Sequence, residues 1–290
     1  MFLLTAIRAT DLMRTSLGFI AIGLGCLLAA TPATYGQSKL QSFRANNTKM
    51  TAYQPALITP LVTADPRIIQ YARFSVAHQY TPAHTETINW GNCRGGGVIV
   101  GKRWEFDWVP PNYIEHNRKA EDGAGDTSLL AKYRIASGNA ENGNYIVAAA
   151  VSRTFATGSY SNGAVTGSFT PIVTGAWAHR KMDVISSVSG LLPMGEVAKQ
   201  GRTANSNTAL QFHPVRPFWF EVENNATFFH GGAHDGEMQS FVLPAGLFVI
   251  RPKRWSPTHP WFIVDSGMQI ATSHFHTYNH NLITEVRMLF

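Results

Sequence analysis

The sequence is poor in cysteine and in charge: two of its 290 residues are Cys and only 14% are Asp, Glu, Lys or Arg. Cys26 lies in an N-terminal apolar stretch, so Cys93 stands alone in the remainder and no disulfide framework can staple it. Long apolar runs are scarce too. The run LGFIAIGLGCLLAA at 17–30 falls short of the ~20 residues a spanning helix needs. After it, no stretch is apolar enough for such a helix, and none carries three turns of amphipathic helical pattern. The net charge is +6, yet Lys and Arg do not cluster with interleaved aromatics, which argues against a nucleic acid partner. No G-x-S-x-G elbow is present. The glycines of GNCRGGG at 91–97 lead into the strand-like GVIV instead of a helix, so they mark a bulge and not a phosphate cradle. Neither catalytic residues nor a cofactor are expected, and the chain does not read as an enzyme.

What is present begins with export. Arg8 and Arg14 precede the apolar run, and the small residues of TPATYG follow it. This is the layout of a secretory signal over 1–36, cleaved after Gly36. Residues 37–69 show no sustained period and carry Pro55, Pro60 and Pro66, which reads as an irregular periplasmic entry segment.

From Gln70 to Phe290 the pattern turns to short alternating runs separated by Gly, Pro, Asn and Asp. Twelve strands are expected, at 70–79, 87–99, 103–109, 126–136, 144–156, 167–179, 182–192, 206–213, 217–228, 238–250, 261–272 and 280–290. Their two faces differ chemically: Trp104, Phe106 and Trp108 alternate with Arg103, Glu105 and Asp107. Connections alternate between longer and shorter, with RPKRWSPTHP at 251–260 as the exception. The fold class read from this is all-β, a transmembrane antiparallel up-and-down barrel of about 12 strands over 70–290, because hydrocarbon tolerates β-structure only when no edge is left open. A soluble secreted ligand-binding β-sandwich is the competing architecture.

A barrel places Arg103, Glu105, Asp107, Lys132, Arg134, Glu221, Glu223, Asp265, Glu285 and Arg287 on the lumen side. The mixed signs fit either a filled, salt-bridged interior or a weakly selective passage. His230, His234, His274 and His276 sit in neighbouring loops and could converge on a transition metal or serve as ordinary loop hydrogen-bonding groups. Ser273 beside His274 is the one pairing worth testing for a barrel-embedded lipid-modifying hydrolase.

The last strand, with Leu282, Val286, Met288 and the terminal Phe290 at alternate positions, resembles the C-terminal signature of bacterial outer-membrane barrels. PLVTADPR near 60–67, DGAGDTSLLAKYRI at 122–135, TFFHGGAHDG at 227–236 and THPWFIVDSGMQIATSHFHTYNHN at 258–281 resemble uncharacterised bacterial proteins similar to the putative transport proteins of the meta-pathway phenol-degradation family. The resemblance implies a location in the outer membrane, with its lipids and the barrel-assembly machinery as partners. It also implies a porin-like channel or transporter for a small-molecule solute, hydrophobic or aromatic.

Cleavage after Gly36 predicts a mature protein starting at Gln37. Intact mass of the membrane-extracted protein checks this, and a retained residue 1 would refute it.

Overall fold

The computed structural model describes residues 45, 47–117, 121–159, 167–215, 217–250 and 261–290. The expected signal at 1–36 lies outside them, as does the connection 251–260.

Alternation of side chains along each run produces extended strands, and one continuous antiparallel sheet joins all of them. In chain order the barrel staves are β1 (Tyr71–Tyr80), β2 (Glu86–Trp90 and Gly95–Val100), β3 (Trp104–Val109 and Tyr113–His116) and β4 (Gly123–Ala124 and Thr127–Gly138). They continue as β5 (Tyr145–Phe155), β6 (Ser168–His179), β7 (Met182–Pro193) and β8 (Arg202–Val215). The last four are β9 (Phe218–His230), β10 (Met238–Ile250), β11 (Trp261–Ala271) and β12 (His280–Leu289). Each pairs with its sequence neighbour, and β12 returns to β1 in continuous register from Tyr71↔Leu289 to Tyr80↔His280. Closure on twelve staves leaves no free edge and excludes a two-sheet sandwich.

Several strand bounds differ from the pattern-based expectation. The third stave runs on to His116 after a break, because Pro110 and Pro111 cannot donate to a ladder and interrupt it. The eighth begins at Arg202 rather than at 206. The glycines of 91–97 accompany a break as expected. Gly95 has φ +124°, and a Cβ there would lie 2.1 Å from the Trp108 carbonyl oxygen.

Connections at the end where β1 starts are brief at 101–103, 139–144, 180–181 and 216–217, with the ten residues 251–260 as the exception. At the other end they are longer on the whole, including 156–167, 194–201 and 272–279. Such asymmetry is usual in membrane barrels. The outward face is apolar: Trp104 and Phe106 are 44% and 45% exposed, whereas Glu105 between them is fully buried. Outward aromatics gather near the brief turns, with Tyr145 opposite Trp177 and Phe212 opposite Phe220. Towards the other end Phe155, Phe169 and Phe228 are exposed. These two levels correspond to the girdles where amphipathic rings meet headgroups. No helix among the described residues is long and apolar enough to cross a membrane.

Of the expected entry segment 37–69, residues 37–44 and 46 lie outside the described residues, 47–51 are helical, and 52–69 are irregular and lie inside the barrel. Leu57, Ile58, Leu61, Ile68 and Ile69 are buried and pack against inward side chains such as Ile185, Leu243 and Leu247. The core is therefore the contact between this segment and the barrel wall.

Val188 lies mid-strand on the outward face and is 60% exposed. Val188→Arg is expected to cost about 2–4 kcal/mol in hydrocarbon and Phe220→Arg, near a strand end, about 0–1 kcal/mol. The fraction of heat-modifiable barrel in isolated membranes should fall sharply for the first and little for the second; equal loss would contradict the assigned depths.

Candidate functional site in the filled lumen

A backbone segment without strand or helix needs partners for its own N–H and C=O groups, and inside a closed barrel those partners come from the wall. Pro55, Pro60 and Pro66 reduce the need, since each lacks an N–H. Glu221 and Glu223 on β9 supply acceptors. The N–H of Leu61 donates to Glu221 Oε1 at 3.2 Å, and the N–H groups of Val62 and Thr63 donate to the two oxygens of Glu223 at 2.8 and 2.7 Å. The Thr63 hydroxyl adds a 2.5 Å bond to Glu223.

Cations elsewhere on the wall hold carbonyls. Arg287 on β12 donates to the oxygens of Thr59 and, at 2.9 Å, Pro60. Lys132 on β4 donates to Arg67 O at 2.9 Å and to Glu105 at 2.5 Å, while the other oxygen of Glu105 accepts from the N–H of Ile69. Arg134 reaches Met50 O at 3.0 Å. Within the segment, the Arg67 guanidinium pairs with Asp65 through Nε at 3.0 Å and Nη2 at 2.6 Å, and also donates to Leu57 O. Fork-to-carboxylate pairing of this kind fixes geometry as well as charge. Arg287 is balanced by Glu285 and by Asp265, the latter at 2.9 Å.

Of the ten residues expected to face the lumen, nine are inward and buried: Glu105, Asp107, Lys132, Arg134, Glu221, Glu223, Asp265, Glu285 and Arg287. They meet protein and not a wet passage, so the salt-bridged, filled interior is the alternative realised. Arg103 departs from the expectation. It is exposed in the turn 101–103 and reaches Tyr133 Oη and Ile135 O at 3.4 Å, because alternation does not extend past the end of a strand. Sequence reasoning missed Gln211, whose amide bridges Ile58 O at 3.0 Å and Glu221 at 2.6 Å. Its inward position could have been read from the alternation of β8.

The four loop histidines do not converge. His230 lies 3.8 Å from Asp235, the His234 ring packs against Phe275 at 5.0 Å, and His274 is exposed. Both ring nitrogens of His276 contact oxygens, Ser273 O at 3.0 Å and Asn279 Oδ1 at 2.9 Å. Among the described residues no three His, Cys, Asp or Glu side chains are grouped to hold a metal ion. The Ser273 hydroxyl donates to Phe275 O at 2.6 Å and accepts from the Ser240 N–H at 2.8 Å, with no base against it, which leaves the hydrolase pairing without support.

Leu282 and Val286 point outward, and Met288 shares their face of β12. The N–H of Phe290 donates to Gln70 O at 3.2 Å, and its carbonyl oxygen accepts from Asn47 at 2.5 Å and Gln70 at 3.3 Å. The end of β12 is thus tied to both ends of the lumen segment.

No protein-family model and no curated protein matches the chain. Among solved structures, an outer membrane channel from Pseudomonas putida F1 is similar with a TM-score of 0.50 at 13% identity, covering 81% of this chain and all of that one. The NanC porin aligns with a TM-score of 0.48 at 9% identity over 75% of this chain and 98% of its own, and the KdgM porin with 0.42 at 10% over 75% and 99%. At these identities the first likeness concerns the fold, a closed all-β barrel.

Glu223 is the acceptor for three donors of the lumen segment, and each buried donor left unpaired costs about 1–3 kcal/mol. Glu223→Ala, in a Cys93→Ser background carrying Val62→Cys, should raise maleimide labelling of position 62 more than tenfold. An unchanged labelling rate would show that Glu223 does not hold the segment.

Proposed function

We propose that the chain is a porin-like outer-membrane channel or transporter for small molecules whose lumen is closed at rest by residues 47–69. The observation that carries this is the closed twelve-stave barrel, apolar outside and charged inside, around a segment joined to β1 by the chain itself and held to the wall by hydrogen bonds, ion pairs and apolar contacts, with no disulfide among the described residues. A segment attached that way can leave and return. The outward apolar band and the two aromatic levels support residence in the outer membrane, reached with the signal at 1–36. Its lipids are then the surrounding partner, and the resemblance of the last strand to the C-terminal signature of outer-membrane barrels favours Leu282, Val286, Met288 and Phe290 as the residues offered to the barrel-assembly machinery.

The solute is small, and the resemblance to putative transport proteins of the meta-pathway phenol-degradation family favours a hydrophobic or aromatic one. Passage needs no chemistry from the protein, so the reading is non-enzymatic.

The test is conductance in planar bilayers. The mature protein should give small or rare steps, and deletion of 47–69 should give frequent steps of several-fold larger size. Absence of steps from both proteins, with heat-modifiable folding confirmed, would overturn the channel reading.

A further inference from the structure

The lumen segment does not fill the barrel completely. A cavity of about 220 Å³ remains between it and the wall of β1 to β6. Its apolar lining includes Ile69, Leu130, Ala150 and Ile172. An apolar protein cavity of about 150 Å³ accommodates a benzene ring, so this one has room for a ring bearing one further group.

The charged groups around it differ in one respect. Arg287 is engaged by Glu285 and Asp265, Lys132 by Glu105, and Asp65 by Arg67; all seven are buried. Asp107 accepts from the Tyr71 hydroxyl at 3.0 Å, and its other oxygen is covered, lying 2.3 Å from where a Cβ on Gly97 would sit. Arg73 alone among these groups retains accessible surface while facing inward. Its guanidinium lies 5.6 Å from the Tyr71 ring centroid, and no oxygen among the described residues accepts a hydrogen bond from it. It stands in register with Arg287 across the closing seam, within the field of Glu285 and Asp107 but with no hydrogen bond to either.

A guanidinium presents a planar fork of donors matched to the two oxygens of a carboxylate. We propose that this cavity binds a small organic carboxylate, with its charged end on Arg73 and an apolar body the size of one aromatic ring against Leu130, Ala150 and Ile172. This deepens the channel reading by naming its solute class and rests on that reading for its physiological sense. The site itself requires only the folded barrel with its segment in place.

The experiment is calorimetry on the detergent-solubilised mature protein with benzoate and with benzamide, which has nearly the same shape and no charge. Benzoate should bind at least tenfold more tightly than benzamide. Arg73→Gln should reduce benzoate to the level of benzamide, and Ala150→Phe, which fills the apolar end, should abolish both. Equal binding of benzoate and benzamide to the unaltered protein overturns the proposal, as does absence of benzoate binding at millimolar concentration. That contrast needs no variant, so it decides the matter even if Arg73→Gln fails to fold. Steps from the 47–69 deletion without benzoate binding to the mature protein would overturn the site and leave the channel; benzoate binding without steps would do the reverse.

Discussion

The structure depends on mutual neutralisation between wall charges and the backbone of the segment they enclose. Glu221 and Glu223 face N–H groups of Leu61, Val62 and Thr63, while Arg287 and Lys132 face carbonyls of Thr59, Pro60 and Arg67. Neither side could be buried alone. An unpaired carboxylate in the interior of a barrel lacks the solvation that water gives it, and an irregular backbone lacks the internal ladder of a helix or sheet. Together they form an interior in which the charged residues act as the hydrogen-bonding partners of the chain.

This arrangement also explains why the interior is polar at all. Twelve staves enclose more space than their own side chains fill, unlike smaller barrels. A segment rich in proline enters with fewer donors to satisfy and with its φ angles already restricted. Asp65 and Arg67 fold the segment back on itself, and Gln54 pairs both backbone groups of Ile68 as a neighbouring strand would. Packing of Leu57, Leu61 and Ile69 against the wall supplies the apolar contact, and the charges set the position.

Much of the barrel was legible in the sequence because a strand has period two and each wall residue faces either lipid or interior. Trp104, Phe106 and Trp108 against Glu105 and Asp107 needed only that alternation, and so did Glu221 against Phe220. Where alternation stops, so did legibility. Arg103 sits in a turn and faces neither side, and the second half of the third stave was hidden behind Pro110 and Pro111. The loop histidines show the same limit, since nearness along the chain fixes no distance between side chains of separate loops.

The sequence by itself determined an all-β chain of twelve staves, the lipid-facing and inward sets of side chains, and the irregularity of residues 52–69, because those features follow from local periodicity and from proline. Only the tertiary structure decided that residues 47–69 occupy the lumen, that the inward charges pair with backbone instead of water, and that Arg73 is left facing a cavity. These depend on contacts between positions more than a hundred residues apart, such as Val62 with Glu223 and Pro60 with Arg287. No local pattern encodes which charged wall residue meets which carbonyl, because the choice is made by the geometry of closure.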